Sequence, residues 1–237
     1  MQKIRHFLIK YRKFIIVTFF PIYMAWFMWL ERRTDVDFHM IHCRLDDMIP
    51  FNEYFIIPYL MWFGYVVLVL ALLAIKPKGI DKWDREKHDH NFFMHQHIND
   101  FYKLAAILMM GMITCLFIYT VFPNRIDLRP EFLENKDPFT AAIIRLYLTD
   151  TPTNVCPSIH VYNSLCVTYA LCSSHSAAHL NTVPKRVLQG LSWALCILIC
   201  LSTLFIKQHS VVDIFFACLL YAFYYVIVYR ILYRKVK

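Results

Sequence analysis

Six long runs of apolar residues constrain the fold of this chain more than any other feature. Short polar stretches separate these runs, which cover about residues 14–30, 54–75, 103–122, 160–181, 187–206 and 210–229. Each run has about the length that one α-helix needs to cross the hydrocarbon core of a bilayer. The composition agrees, since 59% of the 237 residues are hydrophobic and only 18% are charged. We predict an all-α integral membrane protein, with residues 1–237 forming a single six-helix transmembrane bundle.

The positive charge of the chain is distributed as expected for a membrane protein. Of the 25 basic residues, 17 lie in segments on one side, namely the two terminal segments, residues 76–103 and residues 185–186. Because cytoplasmic loops are enriched in Lys and Arg, we predict that both termini face the cytoplasm. We expect a plasma membrane or bacterial inner membrane, with the first span retained as an uncleaved signal anchor. The net charge of +8 then reflects topology and attraction to lipid head groups, so no nucleic-acid partner is expected.

Two outer loops, on the predicted extracytoplasmic face, differ in character. The first outer loop, residues 31–53, contains Asp46-Asp47-Met48-Ile49-Pro50-Phe51. We interpret this stretch as a re-entrant segment at the membrane surface, in which the proline sets the bend and both acids stay solvated. The second outer loop, residues 123–159, is long for a bundle of this size. It contains an amphipathic stretch from Pro138 to Leu148, which is suited to lie flat at the interface.

Three short segments at this outer face carry the candidate functional residues. The first has Arg125 and Arg129 just beyond the third span, where a polar turn with solvated arginines is an adequate explanation. The second is Pro157-Ser158-Ile159-His160 at the start of the fourth span. Proline and serine there are ordinary capping residues, but a helix start also binds anions through free backbone N–H groups. His160 in the first turn would then be placed to exchange a proton.

The third segment joins the fifth and sixth spans and contains Lys207, His209 and Asp213. His209 and Asp213 are four residues apart, which puts them on one helical face if the segment is helical, so the carboxylate can hold the imidazole in one tautomer. A satisfied polar contact is an equally good explanation of such a pair alone. Lys207 beside it favours function, because ionisable groups at membrane depth usually line a functional cavity. The three segments together predict a phosphate site with a nucleophile and an acid.

The order Arg-Pro, then Pro-Ser-x-His, then His-x-x-x-Asp resembles the type-2 phosphatidic acid phosphatase superfamily, which includes lipid phosphate phosphatases and synthase-like lipid phosphotransferases. The motifs lie within about residues 120–215. The resemblance implies that His209 is a nucleophile that forms a phosphohistidine and that Asp213 orients it. It implies that His160 is the general acid and then the base. Ser158 and Arg129 match phosphate-binding residues of the family.

Two positions depart from the common family pattern. Phe122 stands where a lysine is usual, seven residues before Arg129, so that cation is missing or is supplied by Arg125. The third segment has Ser202-Thr203 where Ser-Arg is usual, and Lys207 lies two residues before His209. This variant is more similar to the branch of inositol phosphorylceramide and sphingomyelin synthase-like phosphotransferases. We therefore count Lys207 and Arg125 among the candidate phosphate-binding residues.

The function expected from these residues is phosphoryl transfer from a lipid phosphate or phospholipid, without a metal or another cofactor. The acceptor is left open, since water would make the protein a phosphatase and an alcohol would make it a phosphotransferase. A carrier or scaffold that binds lipid phosphates without turnover is the alternative, although binding alone needs no matched acid and nucleophile. A metal site is a third, less favoured hypothesis, and it rests on His88, His90, His95, His97, His175 and His179.

Overall fold

The computed structural model describes residues 2–74, 90–174 and 182–232. Its α-helices are α1 (Gln2–Glu31), α2 (Arg44–Met48), α3 (Ile56–Ala74), α4 (His90–Val121), α5 (Pro138–Thr149), α6 (Ile159–Ser173), α7 (Thr182–Phe205) and α8 (Val211–Tyr225). A 3₁₀ turn (Glu53–Phe55) precedes α3, and a π-helical segment (Val226–Leu232) continues α8. Two strands of two residues each, β1 (His39–Met40) and β2 (Asn124–Arg125), pair in parallel. The prediction of an all-α fold is confirmed for the described residues.

Among the described residues, four helical segments are long and apolar enough to cross a membrane. They are Glu53–Ala74, Asp100–Val121, Pro184–Phe205 and Val211–Ile231, and they coincide with the second, third, fifth and sixth predicted spans. The apolar part of α1, Ile15–Glu31, is shorter, and α6 has 15 residues. Part of the fourth predicted span, residues 175–181, lies outside the described residues. The chain is a membrane protein, while the six-span count and the orientation of the termini stay predictions.

The helix α4 begins much earlier than the third apolar run. We expected a loop over residues 76–103, but the chain is helical from His90 onward. Residues 90–103 contain neither proline nor glycine, the residues that most often stop a helix. Hydropathy marks where a helix leaves lipid, and the backbone can stay helical well beyond that point. The prediction of a loop is therefore wrong for residues 90–103.

The helix α6 lies at the centre of the bundle, in contact with α3, α4, α7 and α8. Its Tyr162 donates a hydrogen bond to the carbonyl of Ile107 in α4 at 2.6 Å. A Cβ atom on Gly111 would come within 2.0 Å of the Tyr162 ring, so this approach of α4 and α6 requires glycine. In lipid, such close packing and interhelical hydrogen bonds replace the hydrophobic effect as the force between helices. Gly111 therefore helps to fix α6, which carries one of the candidate catalytic residues.

One end of the bundle, here named the loop end, gathers the segments that join α1 to α3, α4 to α6, and α7 to α8. Backbone hydrogen bonds connect these segments: the Asn52 N–H donates to the Phe205 carbonyl at 2.9 Å, and the His39 N–H donates to the Pro123 carbonyl at 2.9 Å. The amphipathic stretch of the second outer loop is the helix α5. Asp137 caps α5 by accepting the N–H groups of Phe139 and Thr140, both at 2.8 Å. All three candidate motifs lie at the loop end.

Candidate active site

His209 lies in the turn between α7 and α8, just before the residue that caps α8. Ser210 is this N-cap, and its hydroxyl oxygen accepts the Val212 N–H at 3.1 Å. Asp213 completes a capping box, since its Oδ2 accepts the Ser210 N–H at 2.8 Å. The same Oδ2 lies 3.1 Å from Nδ1 of His209. The expected contact is present, but the expectation of one helical face is wrong, because His209 precedes the helix and Asp213 reaches back to it.

His160 of α6 extends this pair into a row of three side chains. Its Nδ1 lies 3.4 Å from Nε2 of His209, with the ring centroids 5.6 Å apart. Two rings of α3 pack against His160, with centroid distances of 4.7 Å to Tyr59 and 4.5 Å to Trp62. We assign the Nδ1 proton of His209 to its bond with Asp213, because a carboxylate only accepts. Nε2 of His209 then has a free lone pair, which can accept a proton carried on Nδ1 of His160.

Two members of the row are closed to solvent, and the third, His160, is half-buried. His209 is 6% exposed, and Asp213 and Ser158 are fully buried. Ser158 caps α6 by accepting the Val161 N–H at 3.4 Å, and its own N–H donates to the Asp213 carbonyl at 3.2 Å. This backbone bond connects the start of α6 to the start of α8. The relative position of the two histidines is therefore fixed by two neighbouring helix starts.

Arg129 reaches the same site from the second outer loop. Its guanidinium lies over the Tyr147 ring at 4.3 Å and donates to the Asp150 carbonyl at 2.8 Å and to Oε1 of Gln208 at 2.5 Å. Gln208 directly precedes His209 in the chain, which places the guanidinium beside the turn that carries His209. Burial lowers the pKa of Arg129, but an arginine stays charged in proteins.

Two buried donors beside the row have no acceptor among the described residues. They are Nε of Arg129 and Nε2 of Gln208. A buried N–H without a partner costs about 1–3 kcal/mol, so such groups are expected to find an acceptor when a ligand binds. Oxygens of a phosphate group would be suitable acceptors, because they accept strong hydrogen bonds from charged and neutral donors.

Lys207 is directed at the first outer loop. Its Nζ donates to the carbonyls of Asp46 at 2.8 Å and Ile49 at 2.5 Å. Burial lowers the pKa of Lys207, while the nearby carboxylates of Asp46 and Asp47 act in the opposite direction. One of the three ammonium N–H groups is left for another acceptor. A phosphate-binding role of Lys207 stays a prediction, and its visible contacts hold the first outer loop.

Arg125 lies in β2, and its side chain is exposed. It lines a surface cleft of about 490 Å³ together with Glu31, Arg33 and Asp37, and neither histidine takes part in that cleft. No hydrogen bond or ion pair of the Arg125 side chain is found within the described part of the chain. The structure therefore brings Arg129, Ser158, His160, His209 and Asp213 together and places Arg125 in a separate surface feature.

Asp46 corrects the prediction that both acids of the first outer loop are solvated. Asp47 is exposed, but Asp46 is 1% exposed. Its Oδ2 accepts the Ser210 hydroxyl at 2.7 Å, and its Oδ1 accepts the Val211 N–H at 2.8 Å. Neighbouring side chains on a helix point in different directions, so one acid of α2 can turn inward while the other faces water. The sequence offers no signal for which acid does so.

Asn124 and Glu31 were also missed by sequence reasoning. The Asn124 Oδ1 accepts the N–H groups of Val155 and Cys156, both at 2.8 Å, which joins the first motif segment to the second. Glu31, at the end of α1, accepts the Asn154 side-chain amide at 2.8 Å. Asn124 follows a proline in a polar turn, and that composition alone does not distinguish it from a solvated turn residue.

Asp150 is a further carboxylate near the site. It accepts the Tyr59 hydroxyl at 3.3 Å, and the Tyr59 ring packs on His160. Burial raises the pKa of Asp150, while His209 and Arg129 act in the opposite direction. Asp150 therefore adds an ionisable group that sequence spacing did not reveal.

The metal hypothesis falls on residues that the structure does not describe. His88, His175 and His179 lie outside the described residues, as do the side chains of His90, His95 and His97. Within the described part of the chain, no three His, Cys, Asp or Glu side chains are grouped as metal ligands.

These features define the class of protein: a helical membrane protein with a row of two histidines and a carboxylate beside an arginine. A family model described as the PAP2 superfamily matches residues 103–237, more than half of the chain. The chain therefore belongs to the PAP2 superfamily, and the resemblance seen in its motifs is confirmed. Searches of curated proteins and of solved structures found no match. Membership indicates phosphatase or phosphotransferase activity on phosphate esters.

Proposed function

We propose that this protein transfers the phosphoryl group of a membrane lipid phosphate ester in two steps, through a phosphohistidine on His209 and without a metal. The observation that carries the proposal is the row of Asp213, His209 and His160, in which Asp213 and His209 are buried and His160 is half-buried. A carrier of lipid phosphates would need cations at the site but no carboxylate aligned behind one histidine and no second histidine in front of it.

In the first step, Nε2 of His209 attacks phosphorus and the bond from phosphorus to the lipid oxygen breaks. Asp213 holds Nδ1–H and stabilises the positive charge that develops on the imidazole ring. His160, protonated beside the anionic substrate, gives its Nδ1 proton to the leaving oxygen, so the lipid leaves as an alcohol. The phosphate group enters between the two rings and replaces the 3.4 Å contact of the free protein.

In the second step, His160 acts as a base and takes a proton from water or from an acceptor alcohol. The oxygen so activated attacks phosphorus, and the bond from phosphorus to Nε2 of His209 breaks. Water gives inorganic phosphate, and an alcohol gives a new phosphate ester. Both outcomes use the same protein groups, so the reaction class rests on which acceptor reaches His160.

The charge of the transferring group is met by fixed donors. Arg129 offers its free Nε–H, Gln208 offers its free amide, and the start of α6 at Ser158 adds backbone N–H groups and a hydroxyl. Lys207 would contribute through its remaining N–H group. Arg125, on the exposed surface, would attract anionic substrates at longer range. These groups supply the positive charge that a metal ion supplies in other phosphoryl-transfer sites.

The decisive experiment is a release assay with purified protein in detergent and EDTA. A panel of lipid phosphates and phospholipids is offered, and free phosphate and transferred head group are both counted. Turnover that persists in EDTA is expected, and the ratio of the two products names the acceptor. Saturable lipid phosphate binding without either product would favour the carrier alternative and contradict the proposal.

We also propose that the loop end faces away from the cytoplasm and that the substrate enters sideways between helices. The proposed orientation follows from the excess of basic residues in the opposite segments. Asn135 is exposed in the second outer loop, so a cysteine placed there should react with an impermeant reagent in intact cells. A cysteine in the Lys185 region is the matched control and should react only after permeabilisation. The reverse pattern would invert the topology.

A further inference from the structure

We propose that Asp46 is a positioning residue that holds the turn around His209, residues 207–211 and here named the nucleophile turn, in its reactive geometry. The inference rests on the proposed function of His209. Asp46 lies in the first outer loop, outside the residues 103–237 matched by the family model. The first outer loop, which the family match does not cover, would therefore support the geometry of the active site.

Asp46 accepts three hydrogen bonds with its two oxygens. Oδ1 accepts the Val211 N–H at 2.8 Å, and Oδ2 accepts the Ser210 hydroxyl at 2.7 Å and the Cys43 N–H at 2.8 Å. Ser210 is the N-cap of α8 and Val211 is its first residue, and the helix dipole favours a negative charge at this position. Asp46 is thus joined to the nucleophile turn by two bonds and to its own loop by one.

A short relay connects Asp46 to the nucleophile. Its carboxylate fixes the direction of the Ser210 hydroxyl, and the Ser210 N–H donates to Oδ2 of Asp213 at 2.8 Å. That same oxygen holds Nδ1 of His209 at 3.1 Å. A shift of Ser210 would therefore move the oxygen that orients the imidazole. Losses of about 100-fold are known for misplacements near 1 Å in active sites.

Lys207 strengthens the same attachment from the other side. Its Nζ binds the carbonyls of Asp46 and Ile49, so residues 46–49 are held to the nucleophile turn at both of its ends. Lys207 has a φ of 54°, a left-handed conformation that a lysine rarely adopts. Surrounding contacts must hold the backbone in this unfavourable conformation, and the bonds of Lys207 to the first outer loop are among those contacts.

The arrangement requires a carboxylate and not an amide. An asparagine has one accepting oxygen, so either the Val211 N–H or the Cys43 N–H would face an NH₂ group. Two donors facing each other would push Val211 or the first outer loop away. Burial alone would raise the pKa of Asp46, but the bonds from Val211, Ser210 and Cys43 outweigh burial and hold that pKa below the ordinary value.

The experiment compares Asp46→Asn with the neighbouring substitution Asp47→Asn, which changes the same charge on an exposed side chain. Turnover of a lipid phosphate, the KM and inhibition by orthovanadate are measured in detergent, and hydrogen exchange is followed for peptides that cover residues 207–213. For Asp46→Asn we expect kcat to fall about 10–100-fold, with the KM and the vanadate inhibition constant within about threefold of wild type. Hydrogen exchange in residues 207–213 should become at least about fivefold faster. Asp47→Asn should match the wild type in all four measurements.

Three further variants extend the test, and the first of them keeps the inference testable if Asp46→Asn does not fold. Ser210→Ala removes the hydroxyl through which Asp46 acts, and it should lower kcat selectively in the same way. The double variant should be no slower than the slower single variant, because both substitutions break one connection. Asp46→Glu keeps both oxygens and should retain more activity than Asp46→Asn.

Three results would overturn the inference: a kcat of Asp46→Asn within about twofold of wild type, equal effects of Asp46→Asn and Asp47→Asn, or multiplicative losses in the double variant. If the wild type itself turns over no lipid phosphate, the proposed function fails. Hydrogen exchange then still decides the positioning role, because it needs no substrate. Unchanged exchange in Asp46→Asn would exclude that role, and faster exchange confined to residues 207–213 would support it.

Discussion

The histidines and the cations of the candidate site are held by different kinds of partner. His209 is oriented by a carboxylate, with Nδ1 3.1 Å from Asp213, and His160 faces His209. Arg129 and Lys207 are held by neutral oxygens, mainly backbone carbonyls. No carboxylate lies within ion-pair distance of either cation among the described residues.

The difference has a chemical consequence. A carboxylate makes the imidazole more basic and fixes its tautomer, which a nucleophile needs. A carbonyl orients a cation without cancelling its charge, which leaves that charge for an anionic substrate. Under the proposed function, the two regions are complementary halves of one phosphoryl-transfer site. The two cations also differ in the donors that they have available. Arg129 keeps a free Nε–H beside the row, whereas Lys207 uses two of its N–H groups in bonds to the first outer loop.

The largest effects are expected on the histidine side. His209→Ala should abolish both phosphorylation of the protein and turnover, because the described site has no other group aligned with a carboxylate to act as nucleophile. Asp213→Asn should lower the rate by about 10⁴-fold, as when a catalytic histidine loses its orienting carboxylate. Acid-quenched labelling with a ³²P-labelled substrate measures the first effect, and orthovanadate binding serves as the control for an intact site. Full activity of His209→Ala would mean that the nucleophile has been assigned wrongly.

A smaller and selective effect is expected for His160→Ala. Alkyl lipid phosphates should lose about 10²–10⁴-fold in the first step, because their leaving oxygen needs a proton. An aryl phosphate, whose leaving group needs little protonation, should lose much less. The ratio of the two rates in wild type and variant measures this difference. Equal losses for both substrates would argue against His160 as the general acid.

The next comparison separates the two cations. Arg129→Ala should weaken transition-state stabilisation by about 2–4 kcal/mol, which corresponds to the loss of one preorganised donor. Lys207→Ala should cost less in the chemical step, since its visible bonds go to the first outer loop. Values of kcat/KM in EDTA decide the order, and Arg145→Ala, which removes an exposed arginine of α5 outside the site, is the control. Recovery of either variant by a specific divalent ion would contradict a metal-free site.

The smallest effect concerns the pH dependence of the loop end. His42 lies 2.8 Å from Asp47 and 3.3 Å from Asp127, and these bonds raise the pKa of His42, with Asp47 as the main cause. The bonds therefore stabilise the folded protein below the unfolded-state pKa, and this contribution disappears as the pH rises through the higher folded-state pKa. Thermal unfolding of wild type and His42→Gln should differ at about pH 5 and converge near pH 8. A difference that grows with pH would have the wrong sign.

The sequence by itself determined those features that depend only on residues a few positions apart in the chain. Span length follows from the number of consecutive apolar residues, and helix starts follow from capping residues such as Asp137, Ser158 and Ser210. The identities of His160, His209, Asp213 and Arg129 as candidates also came from short motifs. These features are local, because lipid solvation and helix capping act over one helix or one turn.

Only the tertiary structure decided which of these groups meet. Asp46 and Asp47 are adjacent in the sequence, yet one is buried against α8 and the other faces water. Lys207 looked like a phosphate ligand, but its bonds cross to Asp46 and Ile49, about 160 residues earlier in the chain. Such contacts depend on how α2, α6 and α8 pack at the loop end, and helix packing is set by side-chain fit between distant segments. No sequence pattern within a single segment predicts how its side chains fit against a distant segment.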